Sequence, residues 1–455
     1  ISARSSHREL EKAINRARHL GSPDRDLEHS VMEFLVAHRA CSRNGMAFMT
    51  KAVPDEAFTA LHQLERAWSA HRPQVQPIRR LLSRIGGLLG ACFSETESAA
   101  MLHASSLTAF SEFPIGLAIL PGGTAPLGLR VPISYRPLLP LTRALQFELE
   151  SMPTIFLRGR LRILVVECIP ASERVGRLSR AGWQVSRTTL SRTEGVECDF
   201  VEVRSAADIR AALGEKPYDI LVLSAHGIVE GNRTGIQCGT DRIFGEELGP
   251  LPTVVCLSAC SVSPRGQGTV NITDLMFRQG ARVILGTLMP VDVRRNAVLM
   301  TRLFANIAEA VLGRMPQNTF EAVWHFTQGS NAINDVLSAS AGLARWAQGT
   351  SFADSVIAEF MLRRSAGRLR KNFVYDDTEQ VLLEIARDRG AAKTLRAWLV
   401  SPGYIPESVA YVVLGWPDRI MFYDAAFEQA DKRFGARTRA WLKSVSPETV
   451  VDSSQ

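Results

Sequence analysis

Three short apolar runs between residues 218 and 290 constrain this chain more than anything else in it. Residues 219–224 run into Ser-Ala-His-Gly, 253–258 into Ala-Cys-Ser, and 282–288 read Arg-Val-Ile-Leu-Gly-Thr-Leu after a helical stretch at 272–279. Runs that are apolar without alternation are strands covered on both faces, and strands separated by helices imply a mainly parallel sheet. The carboxyl ends of such strands open into the crevice where an α/β sheet places its chemistry.

Two of these ends carry reactive side chains. His226 follows the first strand, and Cys260 follows the second after 34 further residues. Sequential strands of such sheets usually neighbour one another, so an imidazole and a thiol are expected at one edge. A neutral thiol is a poor nucleophile near pH 7, and an imidazole that takes its proton supplies the thiolate. Backbone N–H groups of Gly227 and Cys260 are the natural donors for a tetrahedral oxyanion. Cys256, set among Val and Leu in mid-strand, reads as a buried small hydrophobe. Asp292 follows the third strand on the same edge, where it can line a pocket or cap the next helix. Glu246 and Glu247, between the two reactive residues, are more remote acidic candidates.

Around this centre the texture changes twice. Residues 8–106 recur apolar at spacings of three, four and seven, as amphipathic helices do, with breaks at Gly21-Ser22-Pro23, Asn44-Gly45, Val53-Pro54 and Arg72-Pro73. Four to six helices are expected, with no strict repeat. Short strands are expected at 115–120 and 128–133, and a helix at 139–149. Then strands at 161–168, 183–189 and 199–203 alternate with helices at 171–180 and 206–213, and a long helix covers 297–312. Helices resume at 320–346, 352–369, 378–399 and 423–442, interrupted by a strand-like run at 408–415, and residues 446–455 read as a loose tail. The division is a helical, partner-binding or regulatory region over 1–110, an α/β domain over 111–345, and a helical region over 346–455 with its late strand.

The bulk properties exclude other classes. The 455 residues exceed one ordinary domain, and no apolar run is long enough to span a membrane. Ile1 opens the chain and residues 1–20 carry charge without an apolar block, so no secretory signal is read and the natural chain is expected to continue upstream. Seven scattered cysteines with no Cys-x-x-Cys pair argue against a zinc site or a disulfide framework, and for a reducing, cytoplasmic setting. The net charge of +7 is spread along the chain apart from a cluster at Arg363, Arg364, Arg368, Arg370 and Lys371, which reads as a solvated helix face and does not indicate nucleic acid. No phosphate-cradling loop, His-Glu-x-x-His motif or serine elbow occurs, so no cofactor is expected.

Taken in order, Leu-Ser-Ala-His-Gly, Val-Val-Cys-Leu-Ser-Ala-Cys-Ser and Gln-Gly-Ala-Arg-Val-Ile-Leu-Gly-Thr-Leu-Met-Pro-Val-Asp resemble the CHAT domain, the caspase-like peptidase module often attached to tetratricopeptide repeats. The resemblance spans roughly 117–338, and Tyr411-Val-Val-Leu-Gly-Trp-Pro resembles the family's last strand, displaced by helices. It implies a caspase-hemoglobinase fold, His226 as general base, Cys260 as nucleophile and a protein substrate. It also implies a role in bacterial immunity, such as antiviral defence, or in programmed death. Two positions depart from the pattern. Met289 stands where relatives often have Trp in the pocket wall, and Ser258 stands where relatives selective for basic residues carry an acid. Latency is expected, with the helical flanks holding loops 229–249 and 261–268 until a regulatory partner or effector binds. The competing readings are an inactive scaffold that binds partners through its helices, and a cysteine hydrolase acting on a small amide.

Overall fold

The structure, a computed structural model, describes residues 23–68, 75–123, 125–138, 141–150, 152–231, 233–260, 271–337, 341–351, 354–370, 373–399, 407–422 and 436–437. The first expected helix, most of the one at 423–442, the tail and loop 261–268 lie outside them. The strands are β1 (Leu107–Ala109), β2 (Ile133–Tyr135), β3 (Ile155–Phe156), β4 (Leu161–Glu167), β5 (Val196–Glu202), β6 (Ile220–Ser224), β7 (His226–Glu230), β8 (Arg233–Cys238), β9 (Asp241–Ile243), β10 (Val254–Ser258), β11 (Val283–Thr287), β12 (Tyr411–Gly415) and β13 (Ile420–Met421).

Eight of them form one sheet in the order β1-β2-β12-β11-β10-β6-β4-β5. Every pairing in it is parallel except β11 with β12. Helices cover both faces, which is why β4, β6, β10 and β11 could be read as continuous apolar runs. Ile163, Val165, Val222, Cys256 and Leu285 face the helices Arg174–Leu190 and Val293–Val311, through Trp183, Leu299, Leu303 and Phe304. Leu164, Val166, Leu223, Val255, Leu257 and Ile284 face the other way, into a cluster that runs unbroken from Ala57 and Leu64 to Trp416. The N-terminal helices therefore share a core with the sheet. This α/β architecture is consistent with a caspase-like fold.

Several local expectations are corrected. Residues 183–189 are not a strand but the second half of the helix Arg174–Leu190. A Cβ on Gly182 would stand 2.9 Å from that of Ala297, so the glycine lets two helices cross closely. Residues 115–120 and 128–133 form a 3-10 turn at Ile115–Leu117 and a short helix at Leu127–Arg130, with strand only from Ile133. The strand-like run at 408–415 contains β12, which lies inside the sheet between β11 and β2.

At the sheet end remote from the β6 and β10 carboxyl termini, Arg136 is buried and donates to Glu148 at 2.8 Å and to the Gly415 carbonyl. Asp418 takes Arg39 at 3.0 Å and also Arg43, which pins the helix Pro23–Ser42 to this cluster. Three members of the basic cluster are paired with carboxylates: Arg363 with Glu359, Glu384 and Asp388, Arg368 with Glu384, and Arg370 with Asp377. Among the described residues no helix is long and apolar enough to cross a membrane.

Of the two histidines in the α/β region, His325 is 1% exposed, and burial pushes its pKa down to about 4. Unfolded, it would take up a proton near pH 6.5. Between those values the unfolded chain binds the extra proton, so the stability His325 permits is complete above about pH 6.5 and is lost as pH falls toward about 4, at up to about 1.4 kcal/mol per unit. Glu321, which burial pushes up to about 7, contributes with the opposite sign over an overlapping range. Urea unfolding at stepped pH should therefore show a flatter acid limb in His325→Phe than in the wild type. Parallel limbs would contradict this.

Candidate active site

The site is built by register. Ser224 of β6 is paired with Ser258 of β10, and the Ala225 N–H donates to the Ser258 carbonyl at 3.2 Å, so the two chains stay in step past the ends of their strands. Two residues further on each chain lie His226 and Cys260. Both lie past the strand ends, His226 as the first residue of β7 and Cys260 in the turn that follows β10. His226 is half-exposed, with 40% of its side chain accessible, and Cys260 is partly buried.

Gly227 explains how closely the two segments approach. A Cβ there would fall 1.7 Å from the Cys260 carbonyl oxygen and 3.4 Å from its nitrogen, so only glycine fits. The Leu-Ser-Ala-His-Gly motif thus has a packing reason for its last residue. Past Gly227, β7 turns back as β8 and then β9, an antiparallel sheet that loop 229–249 had not suggested. It is anchored from within the α/β region: the Ile272 N–H donates to Thr234 Oγ1 at 3.1 Å, and the Ala206 N–H donates to Asp241 Oδ2 at 3.0 Å.

At the ends of the strands that lead to His226 and Cys260 runs a polar row on one face of the sheet. Glu167, Ser224 and Ser258 are register partners across β4, β6 and β10. Ser224 donates to Glu167 at 3.0 Å, Ser179 also donates to that carboxylate, and the Ile169 N–H reaches its other oxygen at 3.0 Å. Burial raises the Glu167 pKa, and these three donors oppose the rise. Asn296 donates to Ser258 and accepts from the Tyr411 hydroxyl at 2.8 Å. Each buried polar group named in this row has a partner, as burial demands.

One member of the site was not foreseen. Glu173 Oε2 lies 2.8 Å from His226 Nε2. Glu173 occupies the N-cap of the helix Arg174–Leu190, but its side chain makes no capping bond, unlike Ser94 and Ser205 at theirs. Nothing in a lone glutamate 53 residues before the histidine signals this contact; it follows from β4 lying beside β6.

The other expected pocket residues lie as follows. Asp292 Oδ1 accepts the Arg295 N–H at 3.0 Å, capping the helix Val293–Val311. Met289 is 1% exposed, within the core rather than at a surface. Ser258 is held by Asn296, as described above. Glu246 lies near Arg233 and Arg278, and Glu247 accepts the N–H groups of Phe244 and Gly245. All seven cysteines are free thiols. Burial pushes Cys256 up to about 12 and Cys198 up to about 11, while a hydrogen bond with Cys238, together with burial, raises Cys168. These thiols are held protonated. Among the described residues no cluster of His, Cys, Asp and Glu could hold a metal ion.

The mainly parallel, helix-covered sheet puts the chain in the α/β class, consistent with a caspase-like fold. Residues 173–324 match the family model of the CHAT domain, a caspase-like peptidase family, as the motifs led us to expect. No curated protein matches the chain.

Gly227→Ala should destabilise the chain by about 1–3 kcal/mol, since the methyl meets backbone that cannot yield. Gly214, in the helix Ala206–Glu215, has nothing within 4 Å of its Cβ position, so Gly214→Ala should stabilise by up to about 1 kcal/mol. Calorimetric melting of both variants checks the contrast; a neutral Gly227→Ala would contradict the close approach.

Proposed function

We propose that the chain is a cysteine endopeptidase that cleaves a protein partner, with Cys260 as nucleophile and His226 as general base. The observation that supports this reading is the in-step continuation of β6 and β10, after which the backbone at Gly227 packs against that of Cys260. In the reaction so read, the Cys260 proton passes to His226 as sulfur attacks the scissile carbonyl. The C–N bond then breaks as the imidazolium returns that proton to the leaving amine. Water, deprotonated by His226, cleaves the thioester and restores the thiol. Backbone N–H groups of Gly227 and Cys260 would hold the oxyanion, a role favoured by the contact of Gly227 with the Cys260 backbone.

The setting we propose is the cytoplasm, where seven free thiols stay reduced, and the part played is in defence or programmed death. Activity is latent until a regulatory partner engages the helical regions. Because β7–β9 is anchored within the α/β region, such a partner would act through the core that the helices share with the sheet.

Incubation of the full chain with candidate partner proteins, resolved by gel and mass spectrometry, tests the assignment. Cleavage should fall at least about 100-fold in Cys260→Ala and in His226→Ala. Cleavage that persists in either variant would overturn it.

A further inference from the structure

We infer that Glu173 is a positioning residue for His226, the third member of a line of chemical groups supplied by three adjacent strands. The inference rests on the reading of His226 as the base. The sheet order runs β10-β6-β4, and the chain leaving each strand supplies in turn Cys260, His226 and Glu173. The nucleophile, the base and the carboxylate therefore stand in the order in which a proton and its compensating charge must be arranged.

Three features favour this role over an incidental surface contact. First, the segment bearing Glu173 is pinned at both ends. The Ile169 N–H donates to Glu167, the Glu173 N–H to the Pro170 carbonyl at 3.1 Å, and a Cβ on Gly176 would lie 2.2 Å from that same carbonyl oxygen. Second, the carboxylate forgoes the cap of its own helix to meet the ring. Third, it takes Nε2. A carboxylate can only accept there, so Nε2 carries the hydrogen and the Nδ1 lone pair is left to receive the thiol proton. When that proton arrives, the imidazolium lies 2.8 Å from a negative charge.

Other charged groups near this pair have engagements of their own. Arg177 donates to the Ser172 carbonyl at 2.7 Å, Arg180 pairs with Glu202, and Arg242, across from Gln237 on β9, pairs with Glu230. Glu167 and the thiols of Cys168 and Cys238 lie buried below, and Arg174 adjoins Glu173 in sequence.

The test is the pH dependence of Cys260 alkylation by iodoacetamide in the full chain, followed by mass spectrometry of the Cys260 peptide, from about pH 5 to about pH 9.5. The carboxylate favours the thiolate–imidazolium pair over the neutral pair. Glu173→Gln should therefore slow alkylation about ten-fold near pH 6.5, equivalent to about one pKa unit, and converge with the wild type above about pH 9, where the thiol ionises unaided. Glu173→Asp should recover part of the loss. A Glu173→Gln profile that overlays the wild type, or one lowered equally at every pH, overturns the inference while leaving the His226–Cys260 pair standing if His226→Ala alters the profile. If His226→Ala also overlays the wild type, both readings fall.

Discussion

The parallel register between β6 and β10 is the constraint on which the site depends. Ser224 opposite Ser258, extended by the Ala225 N–H to the Ser258 carbonyl, fixes where the next two residues of each chain can lie. A slip of one residue would turn every side chain of a strand to the other face and displace the segment that follows it. Two apolar layers enforce the register, because Val222 and Cys256 must face one set of helices while Leu223 and Leu257 face the other core. The hydrophobic effect thus fixes where the segments bearing His226 and Cys260 leave the sheet.

Between the apolar layers and the reactive edge lies the polar row of Glu167, Ser224 and Ser258, closed by Ser179, Asn296 and Tyr411. Satisfied buried polar networks rigidify what they join, and this one joins β4, β6, β10 and β12 to the helices above them. Two tiers result. The lower tier is hydrogen-bonded; the upper lies past the ends of β6 and β10, where His226, Cys260 and the Glu173 carboxylate that meets the imidazole are partly exposed. Gly227 is where the upper tier is drawn tight.

Much of this was legible in the sequence, for identifiable reasons. Strands buried on both faces read as apolar runs, so β4, β6, β10 and β11 were found along with the small residues that end them, and β12 was found from Val412, Val413 and Leu414. What failed depended on contacts distant in sequence. Residues 183–189 read as a strand unless Ala297 is known to lie against Gly182, and the prolines around residues 114–126 favour turns that apolar content alone suggests as strand. The β7–β9 ribbon is too short and too polar to announce itself, since Arg233, Gln237, Asp241 and Arg242 interrupt its alternation. Glu173 carries no local signal at all, because its meaning comes from strand order.

The central claim, that Cys260 is activated by its place beside His226, is tested most directly by competition among the thiols of the intact chain. Cys41 is exposed and Cys260 only partly so. With a limiting amount of iodoacetamide near neutral pH, accessibility alone would favour Cys41. The account requires that Cys260 be alkylated first and faster, as a thiolate maintained by the imidazole. Labelling of Cys41 at an equal or greater rate would contradict it.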